Sequence, residues 1–287
     1  MTKGFAQILA ILIILLLAIG ITYYLAQTKT QIQVPAKTVQ LTPVVPTPPP
    51  FVFTTYTAPK IEKKNLYTIF MIGDSMTLAL GPHGGTFYDY ISELYRKDNI
   101  GILVDNYARG STNILSVSEE LTKQTTYWDS TFAPLLGRDY DLILVESFGY
   151  NPLSQFGIAG GIEKQNQAID ALMTTLITTH PNSAIVFVAT IAPNKETYAK
   201  KELPNVPTSE RVAQAEERMS YIKNHIDYAK SHNIPVINIY EKTLDANGDG
   251  QVKYINPDDN IHPSFAGVDF IGHEIANFIY DNQILPR

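Results

Sequence analysis

The sequence contains no cysteine, and this absence excludes several kinds of chemistry at once. A chain without cysteine has no disulfide bond, no thiolate metal site and no cysteine nucleophile. Positive charge is also scarce, because 22 Lys and Arg stand against 28 Asp and Glu for a formal net charge of −6. Without a basic field to attract phosphates, the composition argues against nucleic acid as a partner.

An apolar segment without any charge lies close to the N-terminus. After a short tail of residues 1–4, residues 5–26 are almost wholly apolar, and about 20 such residues span a bilayer. A cleavable signal peptide is the alternative interpretation, since Ala18-Ile19-Gly20 loosely fits a cleavage site. The length of the run favours an uncleaved, single-pass membrane anchor. The rest of the chain is expected on the extracytoplasmic side, because only a few residues precede the run.

A Pro- and Thr-rich segment, residues 27–60, follows the apolar run. It includes three consecutive prolines, Pro48-Pro49-Pro50, and repeated prolines favour the extended polyproline II conformation. This composition is typical of a spacer, and it predicts a stalk that holds a folded domain away from a surface.

Residues 61–287 alternate between short apolar runs and segments with helical periodicity. The apolar runs of strand length cover residues 67–72, 102–104, 142–145, 184–189 and 236–239. Helical patterns cover residues 162–179, 210–231 and 266–280. Apolar strands that alternate with helices are typical of a parallel sheet covered on both faces. The sequence therefore predicts an α/β domain, a three-layer, doubly wound, flavodoxin-like fold with a parallel sheet of about five strands.

Polar segments follow the predicted strands at the sheet edge where such folds place their sites. They contain Gly73-Asp74-Ser75, Gly110, Gly149-Tyr150-Asn151-Pro152 and Asp259-Asn260-Ile261-His262. Each segment alone has a structural explanation, such as a serine that caps a helix or an Asn-Pro turn. Asp74 is expected to brace its turn, and Glu146 is either a cleft carboxylate or a structural one. The four segments together at one sheet edge favour a catalytic site.

Ser75, His262 and Asp259 have the residue types of a nucleophile, its base and the group that orients the base. A serine hydroxyl is a poor nucleophile until a base takes its proton. Asp259 lies three residues before His262, close enough to accept a hydrogen bond from the imidazole and fix its tautomer. No Gly-x-Ser-x-Gly pattern surrounds Ser75, which argues against the α/β-hydrolase fold.

These motifs and their order resemble the SGNH hydrolases, also called the GDSL esterase/lipase family, from about residue 67 to the C-terminus. The resemblance implies an oxyanion hole formed by the backbone N–H groups of Ser75 and Gly110 and by the side chain of Asn151. Pro152 departs from the family pattern, which usually has an aspartate there. That aspartate is not a triad member in the family, so the departure affects the local loop shape and the substrate contacts.

The resemblance, which does not cover the anchor or the stalk, implies a serine esterase that hydrolyses O-acyl esters of a carbohydrate or a lipid through an acyl-enzyme. Together with the apolar run of residues 5–26, it predicts a membrane-anchored enzyme. An O-acyltransferase acting on envelope glycans would use the same triad, and remains an alternative. A non-catalytic binding domain on a stalk is a second alternative, although such a domain has no need of Ser75, Asp259 and His262.

Other residues are candidates for the substrate cleft or for a metal site. His83 lies on a glycine-rich loop, Arg109 precedes Gly110, and Tyr150 precedes Asn151. No cofactor is expected, with one alternative. Asp245, Asn247 and Asp249 match the beginning of an EF-hand calcium loop, but Asn256 occupies the twelfth position, where the loop needs glutamate. Asn-Gly and Asp-Gly pairs also form ordinary turns without an ion.

Overall fold

A sheet of five parallel strands forms the centre of the region that the structure describes. This region comprises residues 53–127 and 130–287 of a computed structural model. In chain order the strands are β1 (Leu66–Ile72), β2 (Gly101–Asn106), β3 (Thr125–Tyr127), β4 (Ser130–Phe132), β5 (Leu142–Glu146), β6 (Ala184–Ala189) and β7 (Val236–Asn238). The order across the sheet is β2-β1-β5-β6-β7, whereas β3 and β4 pair separately as an antiparallel hairpin. Counting the sheet strands alone, this is the 2-1-3-4-5 order of flavodoxin-like folds, as the sequence predicts.

Helices cover both faces of this sheet. They are α1 (Ser75–Leu78), α2 (Gly85–Arg96), α3 (Ile114–Thr122), α4 (Gly157–Thr179), α5 (Thr208–Ser231), α6 (Ile239–Lys242) and α7 (Phe265–Asp281). Short 3₁₀ turns occur at Pro82–Gly84, Leu135–Gly137, Ser154–Phe156 and Val252–Tyr254. Helices α2 and α7 pack against one face, and α3 and α4 pack against the other. The predicted three-layer architecture is therefore confirmed.

The core divides into two clusters because successive side chains of a strand point to opposite faces of the sheet. In β1, Ile69 and Met71 belong to the cluster beneath α2 and α7, whereas Phe70 and Ile72 belong to the cluster beneath α3 and α4. The strands β5 and β6 divide their residues in the same way. A strand buried on both faces needs apolar residues at every position, which explains the continuous apolar runs in the sequence.

The structure differs from the predicted boundaries mainly where polar or glycine residues interrupt the pattern. Strand β2 continues through Asp105 and Asn106, because an edge strand tolerates polar side chains while its backbone pairs with Phe70 and Met71. Helix α4 begins at Gly157 rather than at 162, in a glycine-rich stretch that lacks helical periodicity. The remaining predicted helices are correct to within two residues.

The last part of the predicted 27–60 linker packs on the domain. Phe53 and Tyr56 are buried, and the Phe53 ring stacks on His232 with centroids 5.8 Å apart. The backbone N–H of Tyr56 donates to the carbonyl of His232 at 2.7 Å, and the Tyr56 hydroxyl accepts from the N–H of Ile185 at 2.8 Å. The packed domain therefore includes residues that precede the predicted start at 61.

The predicted membrane anchor, residues 5–26, and the linker up to residue 52 lie outside the described residues. Across residues 53–127 and 130–287, no helix combines the length and the apolar character that a bilayer span requires.

Acid sensitivity of the fold is expected to depend on His225, a buried residue of α5 whose ring stacks on Phe187 at 4.3 Å. Burial lowers the pKa of His225 to about 3. The unfolded chain binds this proton below about pH 6.5 and the folded chain does not, so stability is lost as the pH falls. His225→Phe keeps the ring stacking but cannot bind a proton. The free energy of unfolding that is lost between pH 7 and pH 4.5 should therefore be smaller in this variant by about 2–3 kcal/mol.

Urea unfolding at the two pH values measures this difference. His273→Phe is the matched control, because His273 is an exposed histidine of α7. An equal acid-induced loss in His225→Phe and in the unmodified protein would contradict the assignment.

Candidate active site

Ser75 lies directly beyond the carboxyl end of β1, at the first residue of α1, and is half-buried. Asp74 caps this helix, since its Oδ1 accepts a hydrogen bond from the backbone N–H of Met76 at 2.8 Å. Gly73 is required by close packing: a Cβ atom there would lie 2.4 Å from Thr77 Oγ1 and 2.9 Å from Glu146 Cβ. The turn that presents Ser75 is therefore tightly held, and Asp74 braces it as the sequence predicts.

His262 lies on the turn before α7, paired with Asp259. Its Nδ1 is 2.8 Å from Asp259 Oδ2, and the side chains of His262 and Asp259 are 39% and 16% exposed. The other carboxylate oxygen of Asp259 accepts the backbone N–H groups of Ile261 and His262, at 2.7 and 3.0 Å. With Nδ1 occupied by Asp259, Nε2 is the imidazole nitrogen left for proton transfer in the cleft.

Hydrogen bonds decide the charge of Asp259. Burial by itself raises the pKa of this carboxyl group, but the donated hydrogen bonds of the Ile261 N–H and of His262 outweigh burial and lower the pKa overall. The group is therefore a carboxylate at neutral pH, and it stabilises a positive charge on the His262 imidazole.

One open cleft of about 620 Å³ brings Ser75 and His262 together with Gly110, Asn151 and Tyr150. Its other lining residues are Leu78, Ser111, Tyr127, Tyr198, Arg218 and Ile261. Gly110 is tightly surrounded, because a Cβ atom there would lie 2.7 Å from Tyr127 Oη and 3.9 Å from Ser75 Cβ. The predicted nucleophile, base and oxyanion donors thus share one cavity at the carboxyl edge of the sheet.

The Asn151 side chain is fixed by Asp74. Asn151 Nδ2 donates to Asp74 Oδ2 at 2.9 Å, so the same carboxyl group that caps α1 also orients this amide. A side-chain amide nitrogen carries two hydrogens, and only one is used in this bond. The second hydrogen remains for an acceptor in the cleft, which is the arrangement that an oxyanion donor needs.

Glu146 is the buried support of this arrangement rather than a cleft residue. It is 2% exposed, and its Oε2 accepts the backbone N–H groups of Phe148 at 3.0 Å and of Asp74 at 3.4 Å. Burial, together with the nearby Asp74 carboxyl group, raises the pKa of Glu146 well above its ordinary value, and burial raises the pKa of Asp74. Burial and mutual repulsion thus both disfavour simultaneous ionisation of the two carboxyl groups, and the stronger upward pKa shift belongs to Glu146.

His83 and Arg109, predicted as cleft residues, do not line this cleft. His83 lines a different cavity of about 510 Å³, together with Tyr88 and Tyr140. Arg109 is buried, with its Nη1 3.7 Å from Glu120 Oε1 and its guanidinium 4.6 Å from the Phe132 ring centroid. The Arg109 side chain therefore points into the protein, although its neighbour Gly110 lines the cleft.

Tyr127, Tyr198 and Arg218 line the cleft but were not predicted from the sequence. Tyr127 belongs to the β3–β4 hairpin, Tyr198 to the loop after β6, and Arg218 to the polar pattern of α5. No short motif marks any of them. The available signal was weak: Tyr198 follows a strand at the same sheet edge as Ser75.

The proposed calcium loop forms a hydrogen-bonded turn. Asp245 Oδ1 accepts the backbone N–H groups of Asn247 and Asp249, at 2.8 and 2.9 Å, and Asp249 Oδ1 accepts the N–H of Lys195 at 2.8 Å. Among the described residues, no group of three or more His, Cys, Asp or Glu side chains could hold a metal ion. The hydrogen bonds account for the turn without an ion, and calcium binding stays an untested alternative.

Residues 69–275 match the family model described as GDSL-like Lipase/Acylhydrolase, a region that includes Ser75, Asp259 and His262. No curated protein matches the chain. A lipase/acylhydrolase from Enterococcus faecalis is 16% identical, with a TM-score of 0.51 over 75% of this chain and 96% of that one. A GDSL-like lipase from Parabacteroides merdae is also 16% identical, with a TM-score of 0.54 over 79% and 100%.

The carboxyl pair makes the stability of the domain sensitive to alkaline pH. The pKa of Glu146 is raised in the folded state. Its contribution to the free energy of unfolding is therefore fully present below the unfolded-state pKa of about 4.3, and it is lost as the pH rises through the folded-state pKa. In Glu146→Gln the side chain keeps a similar shape but cannot titrate. The free energy of unfolding of this variant should therefore fall less between pH 5 and pH 9 than that of the unmodified protein. Urea unfolding at both pH values tests this expectation, with the exposed Glu119→Gln as control. The same decline in Glu146→Gln and in the unmodified protein would contradict a raised pKa of Glu146 in the folded state.

Proposed function

Because the chain belongs to the GDSL-like lipase/acylhydrolase family, and is thus an ester-hydrolysing enzyme, we propose that Ser75 is its nucleophile. His262 is the general base in this proposal, and Asp259 orients His262. The observation that carries the assignment is the 2.8 Å contact between His262 Nδ1 and Asp259 Oδ2. His262 in turn lines the same cleft as Ser75.

The reaction begins with proton transfer from Ser75 to His262. His262 Nε2 takes the hydroxyl proton while Ser75 Oγ forms a bond to the ester carbonyl carbon, and the carbonyl electron pair moves onto oxygen. The Asp259 carboxylate stabilises the resulting imidazolium. The new oxyanion accepts hydrogen bonds from the backbone N–H groups of Ser75 and Gly110 and from the second amide hydrogen of Asn151.

Collapse of this intermediate breaks the ester bond and leaves an acyl group on Ser75. The departing alcohol oxygen takes the proton from His262, which restores the neutral base. A water molecule then gives its proton to His262 and attacks the acyl carbon by the same route, and the acid is released as Ser75 recovers its proton. In the acyltransferase alternative, a sugar hydroxyl replaces this water, and the earlier steps are unchanged.

The substrate proposed is an O-acyl ester of a carbohydrate or a lipid. The open shape of the cleft and its lining tyrosines support this class, because aromatic faces contact sugar rings as well as apolar chains. A purely binding role has less support, since it leaves the Asp259–His262 pair beside Ser75 without a purpose.

Loss of triad residues is expected to abolish esterase activity. Ser75→Ala and His262→Ala should each lower kcat/KM for 4-nitrophenyl acetate by at least about 10³-fold, and the double variant should lose little more, because the triad acts as a unit. Asn151→Ala should cost about 10²–10³-fold, as expected for one oxyanion donor. Initial rates and labelling by a fluorophosphonate probe provide the two readouts. The matched control is Ser220→Ala, a serine of α5 bonded to its own helix, and undiminished turnover by Ser75→Ala would disprove the mechanism.

We also propose that residues 5–26 anchor the chain in a membrane as a single span and that the Pro-rich segment after them is a stalk. The charge-free apolar run supports the anchor, and the proposal places the catalytic domain on the extracytoplasmic side.

The full-length protein is expected to sediment with membranes and to resist extraction by carbonate. The control is the double variant Leu15→Lys and Leu16→Lys, in which each charge costs about 2.5–3.5 kcal/mol at the centre of a span. Protease added outside the cell should release the catalytic domain by cutting in the stalk. Recovery of a processed soluble form that begins soon after Gly20 or Ala26 would instead identify a signal peptide.

A further inference from the structure

Arg218 brings a fixed positive charge into the cleft that contains Ser75 and His262. Its side chain is 17% exposed, and the guanidinium carbon lies 5.0 Å from the ring centroid of Tyr198. Its Nη1 donates to the backbone carbonyl of Gln214 at 2.9 Å, whereas Nε is buried without a hydrogen-bond partner among the described residues. A guanidinium has five N–H donors, so Arg218 keeps hydrogen-bonding capacity beyond its contacts within the protein.

The charge of Arg218 is only partly balanced by neighbouring groups. None of the described residues that line the cleft is Asp or Glu. Glu217 Oε2 forms an ion pair with Arg218 Nη1 at 3.6 Å, but the same oxygen also accepts a hydrogen bond from Ser154 Oγ at 2.9 Å. Because the whole chain has a net charge of −6, this cation is a local feature and not part of a general basic surface.

Two aromatic rings, Tyr198 and Tyr150, share the cleft with Arg218 and Ser75. The Tyr198 ring, over which the guanidinium lies, is 6.5 Å from the Tyr150 ring. Tyr150 directly precedes Asn151, whose amide is one of the proposed oxyanion donors. A substrate whose ester carbonyl is held by Asn151 would therefore lie in the same cavity that Tyr150, Tyr198 and Arg218 line.

We propose that Arg218 binds an anionic group of the substrate, a carboxylate or a phosphate, and so selects charged esters over neutral ones. The proposal rests on the proposed function of the same cleft and narrows its substrate class to acylated molecules that carry an acidic group. Arginine suits this task because its planar guanidinium donates paired hydrogen bonds to carboxylate and phosphate oxygens. The low exposure of Arg218 limits screening by water, which strengthens the attraction to an anion.

Two pairs of acetyl esters test the selection and distinguish the two anions. 4-Acetoxybenzoate is compared with its methyl ester, and 4-acetoxyphenyl phosphate with 4-methoxyphenyl acetate. Arg218→Met should lower the anionic-to-neutral ratio of kcat/KM at least tenfold for one pair, and Arg218→Lys should give an intermediate ratio because a point charge lacks the paired geometry. Glu217→Gln should raise the ratio, since it removes the competing carboxylate.

The control variant is Arg138→Met, which removes the same charge from an arginine paired with Asp105 at 3.1 Å. Arg138 lines the separate cavity that contains His83. The anionic-to-neutral ratio of kcat/KM in Arg138→Met should therefore equal that of the unmodified enzyme. An equal fall of the ratio in Arg138→Met would mean that the effect is one of overall charge, and it would overturn the inference.

Turnover of the neutral esters tests the esterase proposal separately from the role of Arg218. If neutral esters are hydrolysed and Arg218→Met leaves both ratios unchanged, the inference fails and the esterase stands. If no ester is hydrolysed, the proposed function fails, and calorimetric binding of 4-hydroxybenzoate and of phenyl phosphate decides the inference. Binding that weakens at least tenfold in Arg218→Met supports it, whereas equal binding or none overturns it.

Discussion

The buried carboxyl group of Asp74 connects the parts of the cleft that have to act together. One of its oxygens caps α1, the helix that begins at Ser75, and the other accepts the amide of Asn151 from the loop after β5. The proposed nucleophile and oxyanion donor therefore have a common support, although 76 positions separate them in the sequence. Burial of a carboxyl group is costly, and here the hydrogen bonds that Asp74 accepts from Met76 and Asn151 offset part of the cost.

Three residues in the loops around this support have backbone conformations that residues other than glycine rarely adopt. Ser111, Phe148 and Asn260 have positive φ angles of 60°, 53° and 61°, and each lies close in sequence to a proposed site residue. Such conformations persist only when the surrounding structure enforces them, and they occur frequently at functional sites. For Phe148 the enforcement is visible, because its backbone N–H bonds to Glu146 and the next residue, Gly149, packs so closely on Ile222 that a Cβ atom would clash.

The features that the sequence predicts well are those governed by local pattern. Strands β1, β5 and β6 are recognisable because both of their faces are buried, and the parallel topology then carries Ser75, Gly110 and Asn151 to one edge. Features governed by long-range packing were missed. The three-residue strands of the β3–β4 hairpin are too short to show a period, and Arg218 resembles any polar residue of a helix until the fold brings it beside Tyr198. The burial of Phe53 and Tyr56 likewise depends on partners more than 100 residues away.

The packing of Phe53 and Tyr56 also fixes where the polypeptide joins the domain. Their partners, Ile185 near the start of β6 and His232 just before β7, lie at the amino ends of the strands, whereas Ser75 and Asn151 lie beyond the carboxyl ends. Residues 53–56 are thus held on the side of the domain opposite the cleft. A pull applied at residue 53 would be borne first by the contacts of Phe53 and Tyr56 with His232 and Ile185, which are remote from the turns that carry Ser75 and His262.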